Sequence, residues 1–522
     1  MHINLRINDR EVRVKEGTML LEAAESAGFT IPAMCRNTQV EHFTSCMICM
    51  VRERSSGNLM PSCSVRAVPG MDIITDDVEI AEARKTALEL LLSEHVGDCE
   101  APCRLACPAL MDIPLMNRLI AAGLAEQALE VVRRDIALPA VLGRICPAPC
   151  EGACKRKPVD EPVAICLLKR FAADEGGQPT ETATLRTDNR KVAVIGSGPA
   201  GLSAAFYLQR RGIQAVVLDR NECPGGSLQY EVPEEMLDRK VLDNEIALIR
   251  RMGVQFKQGQ HIDAAAFEEL RKAYDAVVVA TGNFSEAMSD WGLNNNGKQV
   301  LADKSTFLTN LDGVFAIGNV NRPVRLAIRS AAQGKEVAGT IAGMFDGKGI
   351  SAAPRRFNSS FGRLMEQEYA EYLKEGSSAG RHHPGDKPGG GLDPGQARAE
   401  AERCMHCDCR KPDSCKLRDY AEVYGASKKR FLYSARKPLK KEMQEHGLVH
   451  EPGKCIKCGI CVRLTARQRE TFGFTFIGRG FDVVIGVPFN ETLEKALEKT
   501  AEAVAQACPT GALSMKPKAN SQ

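Results

Sequence analysis

Several kinds of chemistry are missing from this 522-residue chain, and each absence removes a class of function. No run of 18 apolar residues occurs, so no membrane-spanning helix is expected. The opening residues, MHINLRINDREVRV, alternate apolar and polar like a strand and lack the apolar core of a secretory leader. Net charge is only +3, with 69 Lys and Arg against 66 Asp and Glu, which leaves no electrostatic footprint for nucleic acid. There is no GxxxxGK[ST] phosphate loop, no HExxH zinc motif, no catalytic triad and no long-period repeat. A cytoplasmic, reducing location is the expectation. The length suits three or four domains, and 44% apolar content is ample for their cores.

Cysteine is what the chain has in excess: twenty, nearly all in tight groups. Spacings of two and three residues let several sulfurs converge on one inorganic core, which disulfide geometry does not require. In a reducing compartment such groups read as metal ligands rather than disulfides. Cys35, Cys46, Cys49 and Cys63 make one set of four, and Cys404, Cys407, Cys409 and Cys415 make another, with structural zinc the alternative to iron and sulfide in each. Cys99, Cys103 and Cys107 lie ahead of Cys146, Cys150 and Cys154, with Cys166 beyond and His95 before them. The last group is Cys455, Cys458, Cys461 and Cys508. In two-cluster ferredoxins each run reads CxxCxxCxxxCP, and its fourth cysteine serves the other cluster. Here Thr465 stands fourth in the first run, and Glu498, Ala501 and Val504 stand at the matching positions before Cys508. One cluster is therefore lost, and the four retained cysteines are those that hold the other. Cys223 is left over and reads as a structural loop thiol.

A dinucleotide signature follows the apolar strand run KVAVI. Gly196, Gly198, Pro199, Ala200 and Gly201 form GSGPAG at the start of an apolar helix, and Asp219, followed by Arg220, ends the next strand. The glycines allow a tight turn and close approach of a pyrophosphate to a helix N-terminus, and the acid can bond a ribose hydroxyl.

Three resemblances extend this reading. The Cys35–Cys63 spacing and the His95-x3-Cys99 step resemble the [2Fe–2S] domain of the respiratory complex I iron–sulfur subunit and its relatives in hydrogenases and formate dehydrogenases. Residues 476–489 and 508–513 resemble the ferredoxin-like part of the same subunits. The segments GRICPAPCEGAC and PVAICLLKRF resemble the glutamate synthase small subunit and the matching part of dihydropyrimidine dehydrogenase, which hold two [4Fe–4S] clusters in a helical domain. By that analogy His95, Cys99, Cys103 and Cys154 hold one cluster, and Cys107, Cys146, Cys150 and Cys166 the other. The later motifs YDAVVVATG and LDGVFAIGN resemble those of the same reductases. They imply FAD, with Gly226, Ala280, Thr281, Gly282, Gly318 and Asn319 near it. Asn319 replaces an Asp of the family pattern, and Glu231–Pro233 replaces a Gly-Ile-Pro. The family inserts an NAD(P)H-binding domain between these motifs, but here only 28 residues, 283–310, separate them, and no second GxGxxG occurs. One βαβ unit alone needs roughly 30 residues.

The expected fold is multidomain α+β and α/β. A β-grasp [2Fe–2S] head (1–95) precedes a helical double [4Fe–4S] domain (96–185) and a Rossmann-like FAD domain (186–350). A Gly/Pro-rich linker (351–400) leads to a ferredoxin-like iron–sulfur domain (401–522). The expected cofactors are one [2Fe–2S], four [4Fe–4S] and FAD. The expected function is electron transfer in a multi-subunit, NADH-linked oxidoreductase. Its partners would be an NADH- and FMN-binding flavoprotein with its small [2Fe–2S] subunit, and hydrogenase or formate dehydrogenase subunits or ferredoxin. A self-sufficient NAD(P)H oxidoreductase and a scaffold with a vestigial flavin site are the alternatives.

Overall fold

The period-two pattern at the N-terminus forms a hairpin. Strands His2–Ile7 and Arg10–Lys15 pair antiparallel and bury Ile3, Leu5, Ile7, Val12 and Val14 on one face. The sheet continues through Asp72–Ile74, parallel to His2–Ile7, to Met50–Glu53 and Leu59–Pro61. Helix Leu20–Ser26 contributes Leu20, Leu21, Ala23 and Ala24 to the same core, which gives a β-grasp arrangement. Thr18, just before that helix, does not cap it. Its hydroxyl donates to Lys15 O, and Glu22 instead accepts from the Met19 backbone.

The computed structural model describes residues 1–177, 188–352, 356–360, 362–383, 390–431, 436–445 and 447–516. They fall into two units that do not follow chain order. The first contains residues 1–101, 356–374 and 407–522, and the second contains 102–355 and 375–406. In sequence the second unit is inserted into the first as two segments. No helix among the described residues is long and apolar enough to cross a membrane.

In the first unit, helix Val78–Ser93 is capped by Asp77, whose side chain accepts from Ile80 N. Its Leu88 and Leu92 enter a core with Leu448, Leu464, Phe474 and Val504. That core is built on a three-stranded antiparallel sheet in the order Glu442–Met443, Leu448–His450, Leu513–Met515, and on helices Ile460–Arg467 and Ala501–Ala507. Thr465 stands four residues after Cys461 on helix Ile460–Arg467. It is buried, donates to Val462 O and accepts from Phe474 N, and Val504 beside it is fully buried.

In the second unit, five parallel strands run in the order Val314–Ala316, Ala276–Val279, Lys191–Ile195, Gln214–Leu218, Gln255–Lys257. The order reverses between Lys191–Ile195 and Ala276–Val279, the switch point at which such sheets bind ligands. Ahead of the sheet lie helices Ile113–Ala121, Ala125–Asp135, Pro139–Ile145 and Ile165–Glu175. The apolar stretch 113–135 is broken at Gly123, whose φ of 76° ends the first of two helices.

The helical and Rossmann parts, expected as separate domains, share one continuous core. Glu245 accepts from Ala140 N and Val141 N at the start of a helix, Tyr207 Oη donates to Arg133 O, and Lys335 pairs with Asp135 at 2.7 Å. The expected boundary at 185/186 lies outside the described residues. The expected linker is not one. Residues 366–373 form a helix in the first unit with Glu368 and Tyr372 buried, and 394–402 form a helix in the second with Ala397, Glu400 and Ala401 buried. Other parts of that stretch, 353–355, 361 and 384–389, are not described.

Candidate cofactor sites

The N-terminal set converges. Cys46 Sγ lies 3.4 Å from Cys35 Sγ, and all four thiols of Cys35, Cys46, Cys49 and Cys63 are buried. Hydrogen bonds from Cys46 and Cys63 pull the Cys35 thiol far down, while Cys46 and Cys63 are driven up by the same contacts. The Cys63 contact brings Cys49 to about 7. A pocket that forces one thiolate onto its protonated neighbours suits a cationic core that would take all four as thiolates. His42, which the spacing did not single out, joins this site: its ring lies within 4.8 Å of the Cys35 and Cys63 sulfurs. It sits in the loop between the first two ligands, where nothing in the sequence pattern marks it.

The loops between close ligands carry a common strain. Met47 (φ 55°), Ala148 (φ 54°), His406 (φ 45°) and Lys457 (φ 55°) all occupy the left-handed region, each between two closely spaced cysteines. For a non-glycine residue that conformation costs about 1–2 kcal/mol. It recurs where backbone N–H groups must turn toward sulfur, as Lys457 N does toward Cys455 Sγ at 3.3 Å.

The analogy groups His95 and Cys99 with Cys103 and Cys154; within the first unit Cys99 has Cys409 and Cys415 as neighbours. Cys99 lies in the first unit and Cys103 in the second. Cys409 N donates to Cys99 O at 3.2 Å, and the thiols of Cys99, Cys409 and Cys415 act on one another electrostatically. Ser359 N donates to Cys99 Sγ at 3.3 Å, and burial pushes Cys415 up to about 12. Gly511 makes room here, since a Cβ on it would stand 2.3 Å from Cys409 Sγ. His95 faces the buried Lys454, which in turn faces Cys409. Burial, Lys454 and Lys428 hold His95 down at about 3, so its imidazole is neutral and able to ligate. His95, Cys99, Cys409 and Cys415 thus gather in one place, and the four cysteines of 404–415 divide between the units.

Cys455, Cys458, Cys461 and Cys508 line one apolar cavity with Ile460 and Leu513. Burial drives Cys455 and Cys458 up to about 12 and raises Cys461 as well. Cys458 also senses the charge of Cys35, which makes this site the neighbour of the N-terminal one.

In the second unit, Cys107, Cys146, Cys150 and Cys166 come together. Cys146 is raised first by its contact with Cys166, and Cys107 senses Cys146. The Cys146 contact draws Cys166 down, but the Cys150 contact and burial outweigh it and leave it at about 11. This grouping coincides with the one implied by the resemblance. Cys103 and Cys154 pack on the same core that contains Cys404. Arg156, in the basic run KRKP, is only 1% exposed. It donates to Arg403 O at 2.6 Å and Ser377 O at 2.7 Å and pairs with Asp160. Arg403 is also buried, pairing with Glu400 and Asp160. This network ties the segment after Cys154 to the residue before Cys404. Cys223 is exposed and belongs to no set.

The dinucleotide residues assemble at the switch point. Gly196 must be glycine, because its φ is 110° and a Cβ would stand 2.3 Å from Ala280 O. Gly201 lies so close to Gly196 O that a Cβ would meet it at 1.9 Å, and Gly318 abuts Ala200. Gly198 precedes helix Pro199–Arg210, and a Cβ there would meet only Gly226. That leaves open space over the helix N-terminus, as a pyrophosphate requires. Thr281 and Gly282 follow strand Ala276–Val279, Asn319 follows strand Val314–Ala316, and Arg220 is exposed after Asp219. Asp219 faces inward. One carboxylate oxygen accepts from Ser197 N at 2.7 Å and Ser197 Oγ at 2.6 Å, and the other accepts from Asn221 N and Nδ2, both at 2.9 Å. Its four acceptor sites are therefore occupied by the glycine loop and its own turn, and a ribose hydroxyl would have to displace a protein donor. Residues 283–310 close over one sheet face. Trp291 stacks on Phe267 at 4.6 Å, and Met288, Leu293 and Val300 are buried with Ile195 and Val279.

Fold and sites together define an oxidoreductase assembled from iron–sulfur domains and a dinucleotide-binding domain. Residues 1–77 match the 2Fe-2S iron-sulfur cluster binding domain, and residues 80–180 match dihydropyrimidine dehydrogenase domain II, 4Fe-4S cluster. Residues 190–301 match pyridine nucleotide-disulphide oxidoreductase. The combination expected from the motifs is thus present. The chain is 38% identical over 207 residues to the NADP(+)-dependent formate dehydrogenase subunit beta of Moorella thermoacetica, covering 35% of this chain and 29% of that protein. It is 32% identical over 228 residues to the NADPH-Fe(3+) oxidoreductase subunit beta of Geobacter sulfurreducens, covering 42% and 34%. It is 35% identical over 181 residues to the glutamate synthase [NADPH] small chain of Bacillus subtilis, covering 34% and 36%. The matched region spans roughly a third of each of these relatives.

Proposed function

We propose that this chain is an electron-transfer subunit of a multi-subunit, NADH-linked oxidoreductase of the hydrogenase, formate dehydrogenase or electron-bifurcating kind. It would hold one [2Fe–2S], four [4Fe–4S] and FAD. Nineteen cysteines and His95 supply twenty ligands, the number that five four-ligand clusters need. The clusters supply one-electron chemistry and the flavin two-electron chemistry. The chain's own part is to bury thiolates, turn backbone N–H groups toward them and seat a pyrophosphate on the Gly198 helix. The observation that carries the reading is the combination of these ligand sets with a 283–310 connection sealed by Trp291 onto the sheet. That connection leaves the chain without the second dinucleotide fold of its reductase relatives, so its reducing equivalents come from a partner. The donor would be an NADH- and FMN-binding flavoprotein with its small [2Fe–2S] subunit. The names of two relatives as beta subunits and a third as a small chain support a place in a larger assembly.

A second reading, direct oxidation of NAD(P)H by this chain, is favoured by the 190–301 match. Anaerobic mixing of the purified chain with NADH and with NADPH separates the two. The proposal expects the flavin to stay oxidised until partner subunits are added, and rapid bleaching by the chain alone would overturn it. The occupied Asp219 carboxylate favours a vestigial flavin site, and FAD far below one per chain alongside about 18 irons would establish that instead.

A further inference from the structure

Lys169 lies on helix Ile165–Glu175 and is 3% exposed. Its Nζ is 3.7 Å from Cys166 Sγ, and it senses Cys146, Cys150 and Cys107 as well. No carboxylate pairs with it among the described residues. Glu151, which accepts from Cys166 N, has its other oxygen paired with Arg381 at 2.8 Å. A buried ammonium without a carboxylate is strongly unfavourable unless other anions surround it. Thiolates around an iron–sulfur core are such anions. Lys454 provides the contrast. It too is buried beside cysteines, but Glu451 pairs with it at 2.6 Å and cancels its charge. Lys169 follows Cys166 by three positions, so one helix face delivers both a ligand and a cation.

We propose that Lys169 is a built-in positive charge that raises the reduction potential of the cluster held by Cys107, Cys146, Cys150 and Cys166, making it the preferred seat for an electron in the second unit. This rests on the reading of those four cysteines as a [4Fe–4S] site. A positive charge favours the more negative, reduced form of the core, and the low dielectric around a buried site strengthens the effect.

The test is an EPR-monitored redox titration of the full chain, with iron counted in parallel. Cys166→Ala identifies which signal belongs to this site. Lys169→Met is expected to lower that signal's midpoint by at least tenfold in the one-electron equilibrium, about 59 mV. Lys169→Arg is expected to keep the native value, which a merely structural role would not require. If Lys169→Met does not retain its iron, Lys169→Gln is titrated as the neutral form. An unchanged midpoint in the neutral variant, or equal shifts in the neutral and arginine variants, overturns the inference. If Cys166→Ala removes neither iron nor a signal, the four-cysteine reading itself falls, a result separate from the fate of the lysine.

Discussion

Cys99 and Cys409 stand 310 positions apart in sequence, yet the Cys409 amide donates to the Cys99 carbonyl at 3.2 Å and both thiols face Cys415. If they serve one cluster, losing both costs no more iron than losing one. A chain with one [2Fe–2S] and four [4Fe–4S] holds about 18 irons, and an alanine at either position removes the cluster's four, leaving about 14. Cys99→Ala/Cys409→Ala is therefore expected to hold about 14 as well, whereas Cys99→Ala/Cys455→Ala, which strikes two sites, falls to about 10. Colorimetric iron per chain on anaerobically purified protein reads the difference, and circular dichroism confirms that each variant is folded. The EPR spectrum of the reduced protein should lose the same signal in both single variants. An iron count near 10 for the Cys99/Cys409 pair would refute the shared site and return Cys409 to a set with its sequence neighbours.

Burial holds the Glu245 carboxyl up at about 7 even though it accepts from Val141 N and Ala140 N, so between pH about 4.5 and about 7 the folded chain binds more protons than the unfolded one. Its contribution to stability is complete below pH 4.5 and is lost as pH rises through 7; Glu245→Gln should flatten that slope in denaturant unfolding, and an unchanged slope would count against the burial argument. Trp291→Ala should cost about 3–5 kcal/mol by removing the ring stacked on Phe267, measured by circular dichroism because Trp291 is the sole tryptophan. A loss below about 1 kcal/mol would mean that the 283–310 connection is not sealed onto the sheet. Gly196→Ala drives a methyl group to 2.3 Å from Ala280 O, so co-purified flavin should fall sharply while iron stays at the native level; full flavin retention would remove Gly196 from the site.

Much of the local architecture was legible because it depends on near neighbours. Alternation in HINLRI and REVRVK marked a half-buried hairpin, and the unbroken apolar run KVAVI marked a strand covered on both faces. The substitution of Thr465 and Val504 for cluster ligands was readable as a lost site, and both side chains are buried there as packing. The Cys107, Cys146, Cys150 and Cys166 grouping followed from resemblance because those positions lie within one unit. Other features had no signature. Thr18 lost the helix cap to a backbone acceptor three residues back. Arg156 lies in a basic run and Arg403 follows a glutamate-rich helix, and nothing local marks either as buried, because their burial depends on acceptors more than 200 positions away. His42 and the buried lysines Lys169 and Lys454 become noticeable only once the sulfurs beside them are located.

The sequence by itself determined the chemistry: thiols in close spacings, a glycine loop between strand and helix, and too few residues in 283–310 for a second dinucleotide fold. Short spacings constrain geometry because a few peptide units can reach only so far. Which distant thiols share a site was decided only by the tertiary structure. The chain leaves its first unit after Ala101, rejoins it over 356–374, leaves again and returns at Cys407, so Cys99 meets Cys409 and Cys415 only after two excursions into the second unit. Spacing carries no information across such an insertion, because the length of the excursion is set by what it folds into and not by the two ends it brings back together.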